Sequence, residues 1–146
     1  MKIGAHVSTA GGLSKAVGRG VEIGCETIQI FGSSPQGWAF KPVPGEEMEA
    51  FRQGTAEAGI GPVFLHAIYL INLGSPEAVN VSKGVQSLIN HMKLADLIGA
   101  SGVIFHPGSH KGAGYEGILQ QTVVAIQEVL EATPPSVWLV LENMAG

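Results

Sequence analysis

A parallel α/β fold is what this chain of 146 residues predicts, and three observations predict it. Short apolar runs recur along the chain, with helix-length amphipathic stretches between them. The later runs end at residues 31, 66, 106 and 142, so successive ends lie 35, 40 and 36 residues apart; one strand–helix–strand step needs about 30 or more. Three runs also end on a metal-binding type of side chain: Val63-Phe64-Leu65-His66, Val103-Ile104-Phe105-His106 and Val137-Trp138-Leu139-Val140-Leu141-Glu142. Continuously apolar runs of this length read as parallel strands covered on both faces. In such sheets and barrels ligands bind beyond the carboxyl ends of the strands. Three potential ligands at one structural address therefore point to a site.

The elements follow in order. Lys2 to Val7 reads as the first strand, and Leu13, Ala16, Val17 and Val21 as the buried face of the first helix. Thr27 to Phe31 is the second strand, followed by a short helix marked by Met48 and Phe51. After the third strand, Val63 to His66, the turn Ser75-Pro76 starts a long helix lined by Val85, Leu88, Ile89, Met92 and Ala95. Gly102 to His106 is the fourth strand. Its helix buries Leu119, Thr122, Ile126, Val129 and Leu130 and is stopped by Pro134-Pro135. Val137 to Glu142 is the fifth strand, and Gly24, Gly59 and Gly99 stand where helices end.

This alternation implies right-handed βαβ units. Residues 1–146 are expected to form a single domain, the first five strands of a (β/α)8 barrel, whose complete form takes about 250 residues. The chain reads as truncated after the fifth strand. Its open sheet edges would be covered by a homodimer partner or by a missing C-terminal half.

Hydrophobic residues make up 45% of the chain and charged ones 14%, with a mean hydropathy of +0.27. That balance implies extensive burial or a surface that lacks its partner. No apolar run approaches the roughly 18 residues that span a bilayer, and no signal-peptide pattern opens the chain, so a cytoplasmic location without a membrane role is expected. Cys25 is the only cysteine; it excludes an intrachain disulfide and reads as a small apolar filler. The net charge of −4 excludes a strongly basic nucleic-acid footprint. Any contact with DNA must then be local, through a bound cation and backbone N–H groups.

His66 and His106 can each present one imidazole nitrogen to a divalent metal; a hydrogen-bonded strand-end histidine is the alternative for His66. Glu142 follows five largely apolar residues, where a lone charge needs compensation by a metal, a salt bridge or backbone donors. His6 ends the first strand and serves either substrate contact or strand-end packing. Tyr69 lies in a loop, against a ligand or in the core. Pro107-Gly108 predicts a tight turn that exposes backbone N–H groups beside His106 and Ser109, fit for a phosphate. His110 reads as a solvent-facing loop residue and His91 as a helix-surface one. Gly112-Ala113-Gly114-Tyr115-Glu116-Gly117 matches the dinucleotide-binding glycine pattern. Five residues, Pro107 to Lys111, separate it from the strand end, however, so it does not stand in the strand-to-helix turn itself.

Together, Ile3-Gly4-Ala5-His6-Val7-Ser8 with Gly11-Gly12, Tyr69-Leu70-Ile71-Asn72-Leu73, Phe105-His106-Pro107-Gly108-Ser109-His110 and Glu142-Asn143-Met144-Ala145-Gly146 resemble the endonuclease IV family of zinc-dependent apurinic/apyrimidinic endonucleases. The resemblance implies a (β/α)8 barrel and a site of three Zn2+ ions, with Mn2+ as another candidate metal. It also implies double-stranded DNA with abasic sites as the substrate. Hydrolysis 5′ to the abasic sugar would leave a 3′-hydroxyl and a 5′-deoxyribose phosphate. His66 and His106 resemble the histidine ligands of one zinc, and Glu142 the catalytic glutamate that bridges it to a second. His6 and Ser8 resemble a rim segment near the DNA, and Tyr69 a loop residue that reaches the damaged site. Trp38 matches a loop tryptophan of the family, whereas Gln36 stands where the family has an arginine. Ser109 and His110 complete the expected DNA-facing set. The later family ligands have no counterpart here, so at most one weakly held zinc and little or no turnover are expected of this chain. Two other classes remain open: a divalent-metal sugar isomerase or epimerase of the xylose-isomerase-like barrels, and a non-catalytic fragment.

Overall fold

The computed structural model describes residues 1–144. Ala145 and Gly146, which close the Glu142-Asn143-Met144-Ala145-Gly146 motif, lie outside the described residues. The elements are β1 (Gly4–His6), α1 (Leu13–Glu22), β2 (Thr27–Phe31), α2 (Gly45–Glu57), β3 (Val63–His66), α3 (Ala78–Ile98), β4 (Gly102–Phe105), α4 (Tyr115–Glu131) and β5 (Trp138–Leu141). All five strands are parallel and stand in chain order, β1-β2-β3-β4-β5. Each crossover thus steps to the neighbouring position, as in a growing barrel. Three strands are shorter than the sequence reading, by one or two residues at an end.

The register decides which side chains share a face. Gln29 pairs with His6, Phe31 with His66, His66 with Ile104, and Ile104 with Val140. Side chains alternate along a strand, so this set lies on one face of the sheet. Ile28, Ile30, Leu65, Val103 and Phe105 lie on the other, at 2% exposure or less, under the helices. Each buried side chain of that size contributes about 1.5–3 kcal/mol relative to its exposed state. The expectation of two covered faces therefore holds for one only. Phe31, Phe64, Ile104 and Val140, on the other face or near it, are half-buried.

The helices also depart from the sequence reading in detail. Val21 of α1 is exposed, and the strands receive Gly20 instead. The α2 helix is longer than α1, with Phe51 fully buried. The face predicted for α3 is correct throughout, and that helix ends at Gly99 in the left-handed region (φ 71°). On α4 the buried residues are Ala125 and Val129, while Leu119 and Leu130 are exposed. Leu141, on the helix-facing side of β5, is exposed too. The apolar stripe of α4 is thus only partly covered by the described residues. Cys25 packs partly buried against the core, close to its expected filler role.

The start of α1 shows how the helix layer is pinned. Its N-cap, Gly12, has no side chain to accept the free N–H groups of the first turn. Glu47 of α2 does so instead, its Oε1 accepting the Ser14 N–H at 2.7 Å. That backbone donor, helped by the Ser14 hydroxyl, holds the Glu47 carboxyl below its ordinary pKa. A carboxylate with a lowered folded-state pKa adds stability above its unfolded pKa and loses it as pH falls through the folded value. Glu47→Gln is expected to lower the melting temperature near neutral pH, with the gap to the parent closing toward about pH 3; melting curves across that range check it.

Candidate metal centre

The same register builds the site. His106 lies two residues beyond Ile104, and Glu142 two beyond Val140, so both join His66 on the less covered face. The Glu142 N–H donates to the Phe105 carbonyl at 3.0 Å and carries the ladder one step past β5. The His66 Nε2 is 3.3 Å from Glu142 Oε2, and the His106 Nε2 is 3.4 Å from the same oxygen. Ligand atoms of all three lie within 4.8 Å of one another, the one such grouping among the described residues.

The protons are disposed to suit a cation. The His66 Nδ1 lies 2.7 Å from the Ala67 carbonyl. A carbonyl only accepts, so Nδ1 donates, and in the neutral ring Nε2 then turns its lone pair toward the cluster. The side chain of His66 is 6% exposed and that of Glu142 50%, so the cluster is walled on one side and open on the other. Two imidazole nitrogens and a carboxylate oxygen form a borderline donor set suited to Zn2+ or Mn2+. Ligand bonds of about 2.0–2.1 Å to a tetrahedral ion place neighbouring ligand atoms about 3.3 Å apart. The two separations to Glu142 match that value, and the residues present fit a divalent ion.

Aromatic and polar groups surround the cluster. The His6 ring lies 4.4 Å from Phe31 and 6.1 Å from His66, between centroids. Its Nδ1 accepts the Gln29 side-chain N–H at 2.8 Å. Burial, and then the nearby His66, hold the His6 pKa below its usual value. His6 thus stands beside the cluster without joining it. Tyr69 is 57% exposed, its ring 5.4 Å from His66 and 6.0 Å from His106. It stands over the cluster and does not fill the core.

Behind His106 the loops are stapled together by Asn72, whose role the sequence reading missed. Its Oδ1 accepts the Gly74 N–H at 3.1 Å and the Ser109 N–H at 3.0 Å. The Leu73 N–H donates to the Pro107 carbonyl at 3.0 Å. Gly108 (φ 102°) passes so close that a Cβ there would overlap Asn72 Oδ1 and stand 2.6 Å from its Cα. The expectation of a free Ser109 N–H for phosphate is therefore corrected, since Asn72 already holds it. The available signal was an Asn in a loop, whose side chain bonds backbone two residues on, here Gly74.

His110 is exposed, as expected, yet it has a structural task. Its Nδ1 accepts the Gly112 and Gly114 N–H groups at 3.1 and 3.2 Å, which leaves the proton on Nε2. Those two donors of the glycine pattern are thus engaged by an imidazole, an arrangement contrary to the dinucleotide reading. At the other rim, the Arg19 guanidinium donates to the Ser8 and Ala10 carbonyls, both at 2.7 Å. The Ser8 hydroxyl accepts the Ala10 N–H. Gln36 is exposed in the β2–α2 loop. Trp38, Tyr69, Asn72 and Ser109 line a cavity of about 690 Å3 beside the cluster. His91, expected on a helix surface, is instead fully buried.

Asn72→Ala is expected to cost about 1–2 kcal/mol, because two backbone donors lose their acceptor. Hydrogen exchange at the Gly74 and Ser109 amides should accelerate while the β2–β3 ladder stays protected. Faster exchange along that ladder as well would mean that the staple serves the whole fold.

Comparison with known proteins extends this picture. The chain is 41% identical to "Probable endonuclease 4" of Methanoculleus marisnigri over 145 residues, 99% of this chain and 51% of that protein. It superposes on the crystal structure of endonuclease IV from Thermus thermophilus with a TM-score of 0.87 and 33% identity, over 100% of this chain and 53% of the other. A D-tagatose 3-epimerase-like protein shares the fold alone, with a TM-score of 0.71 and 16% identity over 99% of this chain and 54% of the other. The chain spans about half the length of the curated relatives it matches. No described helix is long and apolar enough to cross a membrane. The family model described as xylose isomerase-like TIM barrel matches residues 17–146, and the chain belongs to that family.

Proposed function

We propose that this chain carries the His66–His106–Glu142 part of a metal-dependent nuclease site that acts on double-stranded DNA at abasic positions. The observation that carries this reading is the convergence of those three side chains within 4.8 Å, in a chain whose curated relatives are named probable endonuclease 4. A divalent ion bound there, Zn2+ first and Mn2+ second, would polarise a scissile phosphate and lower the pKa of an attacking water.

The chain's own groups divide the remaining work. His66 and His106 would each offer the ring nitrogen that faces the cluster. Glu142 offers Oε2 toward both and, half-exposed, would orient the nucleophile. Tyr69 covers the cluster and excludes water from one flank. His6 supplies a neutral ring at the rim, Ser8 belongs to the loop clamped by Arg19, and His110 presents its Nε2–H outward as a donor to phosphate. Gln36 and Trp38 reach the duplex from the β2–α2 loop, and Ser109 lines the cavity between. A net charge of −4 leaves no broad electrostatic footprint, so selectivity rests on this local set and on the ease of extruding a nucleotide that has no base to unpair. Cleavage 5′ to the abasic sugar would yield a 3′-hydroxyl and a 5′-deoxyribose phosphate.

Cover for the apolar faces of α4 and β5 would come from the rest of such a barrel or from a second copy. The sugar isomerase alternative is less favoured, because the epimerase-like neighbour shares the fold at 16% identity against 33% for endonuclease IV.

Zinc titration and fluorescence anisotropy on labelled duplexes test the reading. The expected result is about one zinc per chain and zinc-dependent preference for an abasic over an intact duplex, both lost in Glu142→Ala, with little or no strand cleavage. Equal affinity for both duplexes together with epimerisation of a free ketose would overturn it.

A further inference from the structure

The β2–α2 loop, residues 32–44, carries Gln36 and Trp38, and one stripe of α3 grips it at several points. Lys83, Ser87 and His91 are spaced four residues apart and so share one face of that helix. Lys83 Nζ stands 5.9 Å from the centre of the Trp38 ring. The His91 Nδ1 lies 2.7 Å from the Ser87 carbonyl, which can only accept. The His91 Nε2 therefore carries a lone pair and accepts from the Ser33 hydroxyl at 3.2 Å. Phe40, at the far end of the loop, packs edge-on against the His91 ring at 5.3 Å. Gly32, where the strand ends, leaves no slack: a Cβ there would meet His91 Cδ2 at 3.0 Å.

His91 is fully buried, and burial holds its pKa below the ordinary value, which fits the neutral form these bonds require. A purely space-filling residue would need neither nitrogen satisfied in this way. Both nitrogens are used, one to orient the ring and one to hold the loop. The far side of the loop meets the cluster's neighbourhood through the Tyr69 N–H, which donates to the Pro35 carbonyl at 3.0 Å. Trp38 and Tyr69 then line the same cavity.

We infer that His91 is a positioning residue: through Ser33 and Phe40 it sets the β2–α2 loop so that Gln36 and Trp38 present to the ligand beside the metal cluster. The geometry stands alone, and the identity of the ligand rests on the function proposed above.

The test uses the full chain with Trp138→Phe, which leaves Trp38 as the only tryptophan. His91→Phe keeps a ring but no hydrogen bonds, Ser33→Ala removes one partner gently, and His91→Gln restores an acceptor for Ser33. In His91→Phe and Ser33→Ala, Trp38 emission is expected to shift to the red and acrylamide quenching to increase. Affinity for an abasic duplex should fall by about three- to tenfold, the loss expected when a contact loop is no longer preordered. Zinc affinity should stay within about twofold, too small a change to count as lost binding energy, and His91→Gln should recover most of the signal.

Unchanged Trp38 accessibility in both His91→Phe and Ser33→Ala would overturn the inference. So would parallel losses of zinc affinity and melting temperature that His91→Gln does not relieve, because those mark a purely structural residue. A Trp38 response without abasic-duplex preference in any variant, parent included, upholds the positioning and overturns the proposed substrate instead.

Discussion

The site depends on one constraint, the shared register of parallel neighbours. Pairing of Phe31 with His66, His66 with Ile104 and Ile104 with Val140 commits every second residue on these strands to the same face. His106 and Glu142 inherit that face because they continue the alternation past the last paired residues. A slip by one residue in any one of these strands would turn its ligand toward the helices and bury a charge or an imidazole in the apolar layer. The oily face formed by Ile30, Leu65, Val103 and Phe105 opposes such a slip. The packing of the core and the geometry of the His66–His106–Glu142 cluster are therefore one problem with one solution.

Around that frame the polar work is done by groups that bridge loops. Asn72 ties the β3–α3 loop to the segment after His106, Arg19 ties down the rim after β1, and His91 ties down the loop after β2. All three hold loops at the carboxyl ends of strands, where short connections leave backbone groups in need of partners. None reaches the His66–His106–Glu142 cluster directly. Each converts a flexible connection into a defined wall.

Much of this was legible in the residues. Continuous apolar runs gave all five strands within two residues at either end, and the histidines and glutamate at their ends gave the cluster. What stayed hidden has physical causes. The two-sided burial expected of the strands fails because no described element packs over the face of Phe31, Phe64, Ile104 and Val140, and the sequence of a strand cannot say what will lie over it. Leu119 and Leu130 misled for the same reason, since a helix pattern shows which face is apolar and not how much of it is covered. His91 was misplaced because a polar residue in a helix reads as exposed unless its partners are known. Those partners, Ser33 and Phe40, lie more than fifty residues away in the chain. Asn72 carried a local signal, but its bond to Ser109 spans 37 residues, and no local pattern encodes that.

The Asn72 bridge has a consequence for cooperativity. The Asn72 oxygen at Ser109 and the Leu73 N–H at the Pro107 carbonyl together connect the loop that carries Tyr69 to the segment after His106, so a displacement at one end is felt at the other. With a ligand in the cavity and a cation at the cluster, the two occupancies would be thermodynamically linked, and linkage runs both ways. A ligand that displaced Tyr69 would change the hold on the cation, and the cation would bias Tyr69 in return by the same factor.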